Sequence, residues 1–159
     1  MIITGIVLFP IMISFQSPLS FVIWLLIPVT ASIAVVPIKI KREKVYSTYS
    51  INFRPPNDRK PTTQEIRRYS IFLKEHISII DPKILILMGT TAMEAVTGLG
   101  NQISNERGNW KEIIIGNKTI PVIITFNPSY LIRYPDKKKF SWEDLKKIRK
   151  KVEDLNIKI

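Results

Sequence analysis

The chain has 159 residues, a length that favours one domain, and its 24 Lys and Arg outnumber 13 Asp and Glu to leave a net charge of +11. It contains no cysteine and a single histidine, His76. That composition excludes disulfides, thiol catalysis and cysteine-ligated zinc or iron–sulfur centres, and argues against histidine metal sites and Ser-His-Asp catalysis.

The charge is unevenly placed. Met1 to Ile38 carries no charged side chain and no histidine, so the whole excess falls between Lys39 and Ile159. The chain thus divides into an apolar leader, 1–38, and a basic domain, 39–159. Phe21 to Ile38 is an eighteen-residue uncharged run, at the lower edge of what crosses a hydrocarbon core of ~30 Å. Lys39, Lys41, Arg42 and Lys44 follow it and would keep that side in the cytoplasm. A secretory signal fits poorly, because no basic segment precedes the apolar run. Two other readings stay open: a buried apolar start to the domain, or a non-native remnant of a frameshift or misassigned start. The expected partners are a polyanion for the basic domain, DNA above all, and a membrane through Phe21 to Ile38. The expected location is the cytoplasm, with or without membrane association.

The basic domain alternates strand and helix signals. Val45 to Phe53 reads as a strand, followed by a loop that Pro55, Pro56 and Pro61 keep out of helix. Thr62 to Glu65 has capping-box spacing, and Ile66, Tyr69, Leu73, Ile77 and Ile80 then recur at helical intervals. Asp81-Pro82 stops that helix. Lys83 to Met88 is a continuous apolar run before Gly89, the pattern of a strand buried on both faces. Thr91 to Glu94 has a second capping-box spacing, predicting a short helix through Val96 that Gly98 and Gly100 end. A polar loop is expected over Asn101 to Asn109, then a strand from Thr119 to Thr125.

Asn127-Pro128 resembles a helix start, with Asn as N-cap and Pro in the first turn. Trp142, Leu145, Ile148, Val152 and Leu155 form an apolar stripe on a Lys-rich C-terminal helix. On that helix Glu143 and Asp144 read as exposed partners of Lys147 or Lys150, and His76 as surface or satellite packing. The alternation predicts a three-layer α/β/α domain around a mainly parallel sheet, one that lacks its N-terminal part.

Several segments in order carry a family resemblance. They are Arg54-Pro55-Pro56 with Arg59 and Pro61-Thr62, Pro82 to Gly89 with Ala92, Arg107-Gly108-Asn109-Trp110, Asn127 to Arg133, and Trp142 to Leu145. Together they resemble the C-terminal portion of the family-4 uracil-DNA glycosylases. The resemblance implies an α/β fold that hydrolyses the N-glycosidic bond of deoxyuridine flipped out of DNA. It implies that Asn127 stands where the family has a histidine that stabilises the departing uracil. Tyr49 falls where the family has an asparagine that pairs with uracil. Pro128, Ser129, Tyr130, Arg133 and Arg107 fall at substrate-binding positions.

The family's Gly-Glu-Ala-Pro-Gly motif has no counterpart before Lys39, and its iron–sulfur cysteines fall on Phe53 and Tyr69. No cofactor is therefore expected. For Arg133 two roles are open, a DNA phosphate contact or a cap on the last carbonyls of its helix. Free N–H groups at Asn127-Pro128-Ser129 could hold a phosphate, and Arg107 and Trp110 could be loop anchors. The expected function is a glycosylase-like repair protein with catalysis lost or weakened. The alternatives are a non-catalytic basic DNA-binding module, or a membrane-anchored protein with a glycosylase-like domain.

Overall fold

A computed structural model describes residues 6–9, 40, 44–53, 55–100 and 102–157. The run from Phe21 to Ile38 lies outside the described residues, as does Arg54. Among the described residues no helix is long and apolar enough to cross a membrane.

Among the described residues five strands form one sheet in the order β2-β1-β3-β5-β4. They are β1 (Ile6–Phe9), β2 (Val45–Ser47), β3 (Ile84–Met88), β4 (Trp110–Ile115) and β5 (Lys118–Thr125). β1 pairs in parallel with both β2 and β3, and β3 pairs in parallel with β5; only β4 and β5 are antiparallel. The leader thus contributes an interior strand. The helices are α1 (Thr63–Ile80), α2 (Thr90–Thr97), α3 (Ile103–Glu106), α4 (Pro128–Arg133) and α5 (Lys138–Asp154).

β3 is buried along its whole length, as a strand between two helical layers must be. Its side chains alternate between two cores. Leu85 and Leu87 join Ile66, Leu73 and Ile77 of α1 and Ala92, Met93 and Val96 of α2. Ile84, Ile86 and Met88 face Ile148 and Val152 of α5. This is the three-layer α/β/α arrangement, and burying each such side chain contributes roughly 1.5–3 kcal/mol.

Several local expectations need correction. The strand at Val45 ends at Ser47 rather than Phe53. α2 is capped by Gly89 at φ 97°, without a side-chain cap, while Thr91 lies buried inside the helix. The loop before Trp110 contains α3, and Trp110–Ile115 is a strand. The apolar stripe on α5 is buried only in its middle: Trp142 and Leu155 are exposed, and Ser141 and Asp144 are buried.

α1 starts as its spacing predicts. The Thr62 hydroxyl accepts from the Glu65 N–H at 3.3 Å, and the Thr62 N–H donates to the Glu65 carboxylate at 2.8 Å. Arg59 donates to both Glu65 oxygens at 2.7 and 2.8 Å, tying the proline-rich loop to the helix. The Arg59 guanidinium and the Thr62 N–H lower the Glu65 pKa from 4.5 to about 2. Folding depresses this pKa, so the stabilisation is present above the unfolded value and disappears as pH falls toward the folded one. A carboxyl NMR titration should place the Glu65 midpoint near 2, with Thr62 and Glu65 amide protection falling over the same range. A midpoint at 4.5 in the folded chain would rule out the bidentate pair.

Candidate functional site

The parallel strands β2, β1, β3 and β5 all end on one side of the sheet. The order turns at β1, which lies between β2 and β3, and ligands in open α/β sheets bind beyond the carboxyl ends at such a point. Tyr49 follows β2 and Asn127 follows β5. They stand at opposite ends of this crevice, three strand spacings or roughly 14 Å apart at the sheet. Tyr49 is half-buried, and desolvation raises the pKa of its phenol, which stays neutral.

Asn127 caps α4. Its Oδ1 accepts from the Ser129 N–H at 2.8 Å, which fixes which end of the amide is oxygen. Asn127 is 7% exposed, and its Nδ2 is buried without a hydrogen-bond partner. An orphaned buried donor costs roughly 1–3 kcal/mol, and a carbonyl oxygen is what such an amide would satisfy. The amide is neutral. It can donate a hydrogen bond but cannot carry a positive charge.

The expectation that the α4 start offers free N–H groups to a phosphate is not met. Pro128 has no N–H, Ser129 donates to the Asn127 side chain, and Tyr130 and Leu131 donate to the Asn127 carbonyl. A phosphate here must be met by side chains. Arg133 is suited to that: it is exposed on the last turn of α4, with no ionic or hydrogen-bond partner among the described residues.

Arg107 occupies a different environment. Its guanidinium donates to Asp144 at 2.5 and 3.1 Å and to the Phe140 carbonyl at 2.5 Å. Asp144 is fully buried, and Thr125 donates to it at 2.8 Å. Asp144 is therefore the reverse of the exposed Lys147 or Lys150 partner read from the sequence; Glu143 instead pairs with Lys146. Burial raises the Asp144 pKa, with the Thr125 and Arg107 hydrogen bonds opposing it. Gly108 completes the lock. Its φ is +73°, and a Cβ there would lie 2.5 Å from the Asp144 carboxylate, so a side chain is excluded both by conformation and by space. Lys147 donates to the Gly108 carbonyl at 2.6 Å, and Lys151 lies over the Trp110 ring at 5.6 Å.

Tyr130 and Arg107, separate in sequence, line one cavity of about 490 Å³ with Phe126, Lys137 and Phe140. Phe53 and Tyr69 also meet, with ring centroids 5.7 Å apart, and Tyr69 packs on Phe72 at 5.9 Å. His76 is held by the Tyr46 hydroxyl at 2.6 Å, a packing role as expected. Asp144 was not legible as a site residue, since its partner Arg107 lies 37 positions away.

The chain is similar to type-4 uracil-DNA glycosylases. It is 41% identical over 95 residues to that of Thermotoga maritima, covering 59% of this chain and 48% of the relative. It is 33% identical over 117 residues to that of Sulfurisphaera tokodaii, covering 69% and 52%. It is 29% identical over 115 residues to that of Archaeoglobus fulgidus, covering 70% and 58%. The chain spans about half the length of these curated relatives.

The relatives correct the expectation of no cofactor. The type-4 resemblance brings an iron–sulfur cluster with it, so a cofactor-free state is not what the family confers. The finding on this chain is narrower. With no cysteine, it has no thiolate to ligate such a cluster. The Phe53 and Tyr69 rings, where the resemblance puts two of the family's cysteines, are in contact, and ring carbons cannot replace sulfur ligands. The residues present do not fit the group. Across residues 13–149 the sequence matches the model of the Uracil DNA glycosylase superfamily, and with the fold and the crevice described above, the chain belongs to that superfamily.

Proposed function

We propose that the chain is a DNA-binding, uracil-DNA glycosylase-like protein in which base excision is lost or severely weakened. The observation that carries this reading is Asn127, held as a helix cap with a neutral amide as its only free donor. Excision leaves negative charge on the departing uracil, and donors aimed at that charge supply much of the rate. A neutral donor makes a bond about half as strong as a charge-assisted one, and the loss of one such donor typically slows turnover by roughly 10²–10³-fold. Tyr49 adds a second deficit. A half-buried neutral phenol lacks the paired donor and acceptor of an amide that would read the uracil edge. The net charge of +11 supports salt-sensitive phosphate binding.

Excision is tested by incubating the full chain with uracil-containing single- and double-stranded DNA and measuring abasic sites. Formation should stay at background, and Asn127→His alone should not restore it, because Tyr49 still occupies the base-reading position. Enzyme-dependent abasic sites accumulating over many turnovers would overturn the reading. DNA binding is followed separately, by anisotropy across a salt series.

A further inference from the structure

We propose that the cavity between the α3 loop and α4 is a nucleotide subsite, which takes an unpaired base against its aromatic wall and the adjoining phosphate against Lys137 of its lining and the nearby Lys139. This deepens the DNA-binding reading and rests on it. The cavity measures about 490 Å³, within the range of small-ligand sites, about 300–1,000 Å³. Three of its lining residues are aromatic: Phe126, Tyr130 and Phe140. Tyr130 stacks on Phe126 at 5.1 Å, and a third ring, Tyr134, follows at 4.6 Å. Phe126 is buried, whereas Tyr130 is half-buried and Phe140 is 37% exposed, so apolar ring surface is left for a ligand.

Cations crowd the same wall. Arg107 Cζ, Lys137 Nζ and Lys139 Nζ lie 5.2, 5.8 and 5.1 Å from the Phe140 ring centroid. Asp144 neutralises Arg107, and Asp136 pairs with Lys137 at 3.0 Å. Lys139 also feels the Asp136 carboxylate, so two carboxylates face three cations and the wall keeps a positive excess. The Asp136–Lys137 pair is exposed, and exposed pairs are weak enough for a phosphate to displace. Gln102, also in the lining, adds an amide that can pair with a base edge. Stacked rings beside a net positive charge form the chemistry that holds single-stranded nucleic acid, with bases on the rings and backbone on the charges. A buried phosphate site without rings, or an apolar pocket without lysines, would select a different ligand.

The test uses the full chain and five probes: thymidine 5′-phosphate, thymidine, inorganic phosphate, a short oligo-dT strand and a short duplex. Calorimetry should show thymidine 5′-phosphate binding more tightly than thymidine or phosphate alone. Phe140→Ala and Lys137→Gln should each weaken the mononucleotide and the single strand about tenfold, the order that base stacking contributes. The duplex should change less than twofold, and Lys150→Gln should change nothing. Tyr130→Leu, which keeps the apolar volume, guards against misfolding, and each variant's melting temperature is compared with the parent's. Duplex binding without mononucleotide binding, or mononucleotide binding indifferent to Phe140 and Lys137, would overturn the subsite and leave the DNA reading intact. Mononucleotide binding without binding of either the single strand or the duplex would keep the subsite and overturn the DNA reading. Absence of both would overturn both.

Discussion

Replacing Arg107 by alanine is expected to cost about 3–5 kcal/mol of stability, a large share of what a single domain has. The reason lies in what is left behind. Asp144 is fully buried on α5, and its carboxylate is neutralised by Arg107 and hydrogen-bonded by Thr125 of β5. Without the guanidinium, one hydroxyl must support a buried charge. The loop before β4 is released at the same time, because Arg107 also holds the Phe140 carbonyl.

The pH dependence separates this account from simple loss of packing. Burial already raises the Asp144 pKa, and the Arg107 hydrogen bond is among the effects that oppose it. In Arg107→Ala that opposition is gone, so the folded pKa rises further above the unfolded one. A carboxyl with a raised folded pKa contributes stability when protonated and loses it as pH climbs through that value. The gap between variant and parent should therefore narrow as pH falls and the buried group takes up its proton. Denaturant unfolding across a pH series gives the answer, and a gap that stays constant would assign the loss to packing alone. Replacing the pair together, Arg107→Met with Asp144→Leu, should recover much of the loss, since apolar groups of similar volume often match a buried ion pair.

Much of the fold was legible because it rests on local rules. The Thr62–Glu65 cap, the recurrence of Ile66, Leu73 and Ile77, and the unbroken run at Ile84–Met88 each specify an element without help from distant residues. β4 was missed for a physical reason. It is an edge strand, and edge strands carry charges such as Lys111 and Glu112 that interrupt an apolar run. The signal that would have found it is the Gly116-Asn117 turn, with Gly116 at φ 61°, joining two apolar segments as a hairpin. Thr91 misled because capping-box spacing also occurs inside helices; Gly89, at φ 97°, opens α2 instead.

The site was legible only in part. The Asn-Pro pair specifies a cap at Asn127, and Asn127 is one. That its side chain consumes the Ser129 N–H, and so removes a phosphate contact, depends on atomic geometry and on no residue pattern. Asp144 shows the same limit from the other direction. On a helix dense in lysine, a carboxylate reads as surface, and only the approach of Arg107 from another layer makes its burial tolerable.

A proline at Val7 is expected to lower the unfolding midpoint sharply, because β1 is paired on both sides. Val7 stands opposite Tyr46 of β2 and Leu85 of β3, in parallel register with each. Proline removes a ladder donor and is accommodated essentially only at sheet edges or bulges, never between two parallel neighbours. The orphaned acceptor alone costs roughly 1–3 kcal/mol, and the ring's clash with the neighbouring strand adds to it. Hydrogen exchange localises the effect. Amides of Val45–Ser47 and Ile84–Met88 should lose protection in Val7→Pro, while β5 and β4, joined by their own hairpin, should retain more. Unchanged protection at Tyr46 and Leu85 would place the leader outside the sheet. Loss at both would mean that the uncharged leader supplies the interior strand joining β2 to the rest of the domain.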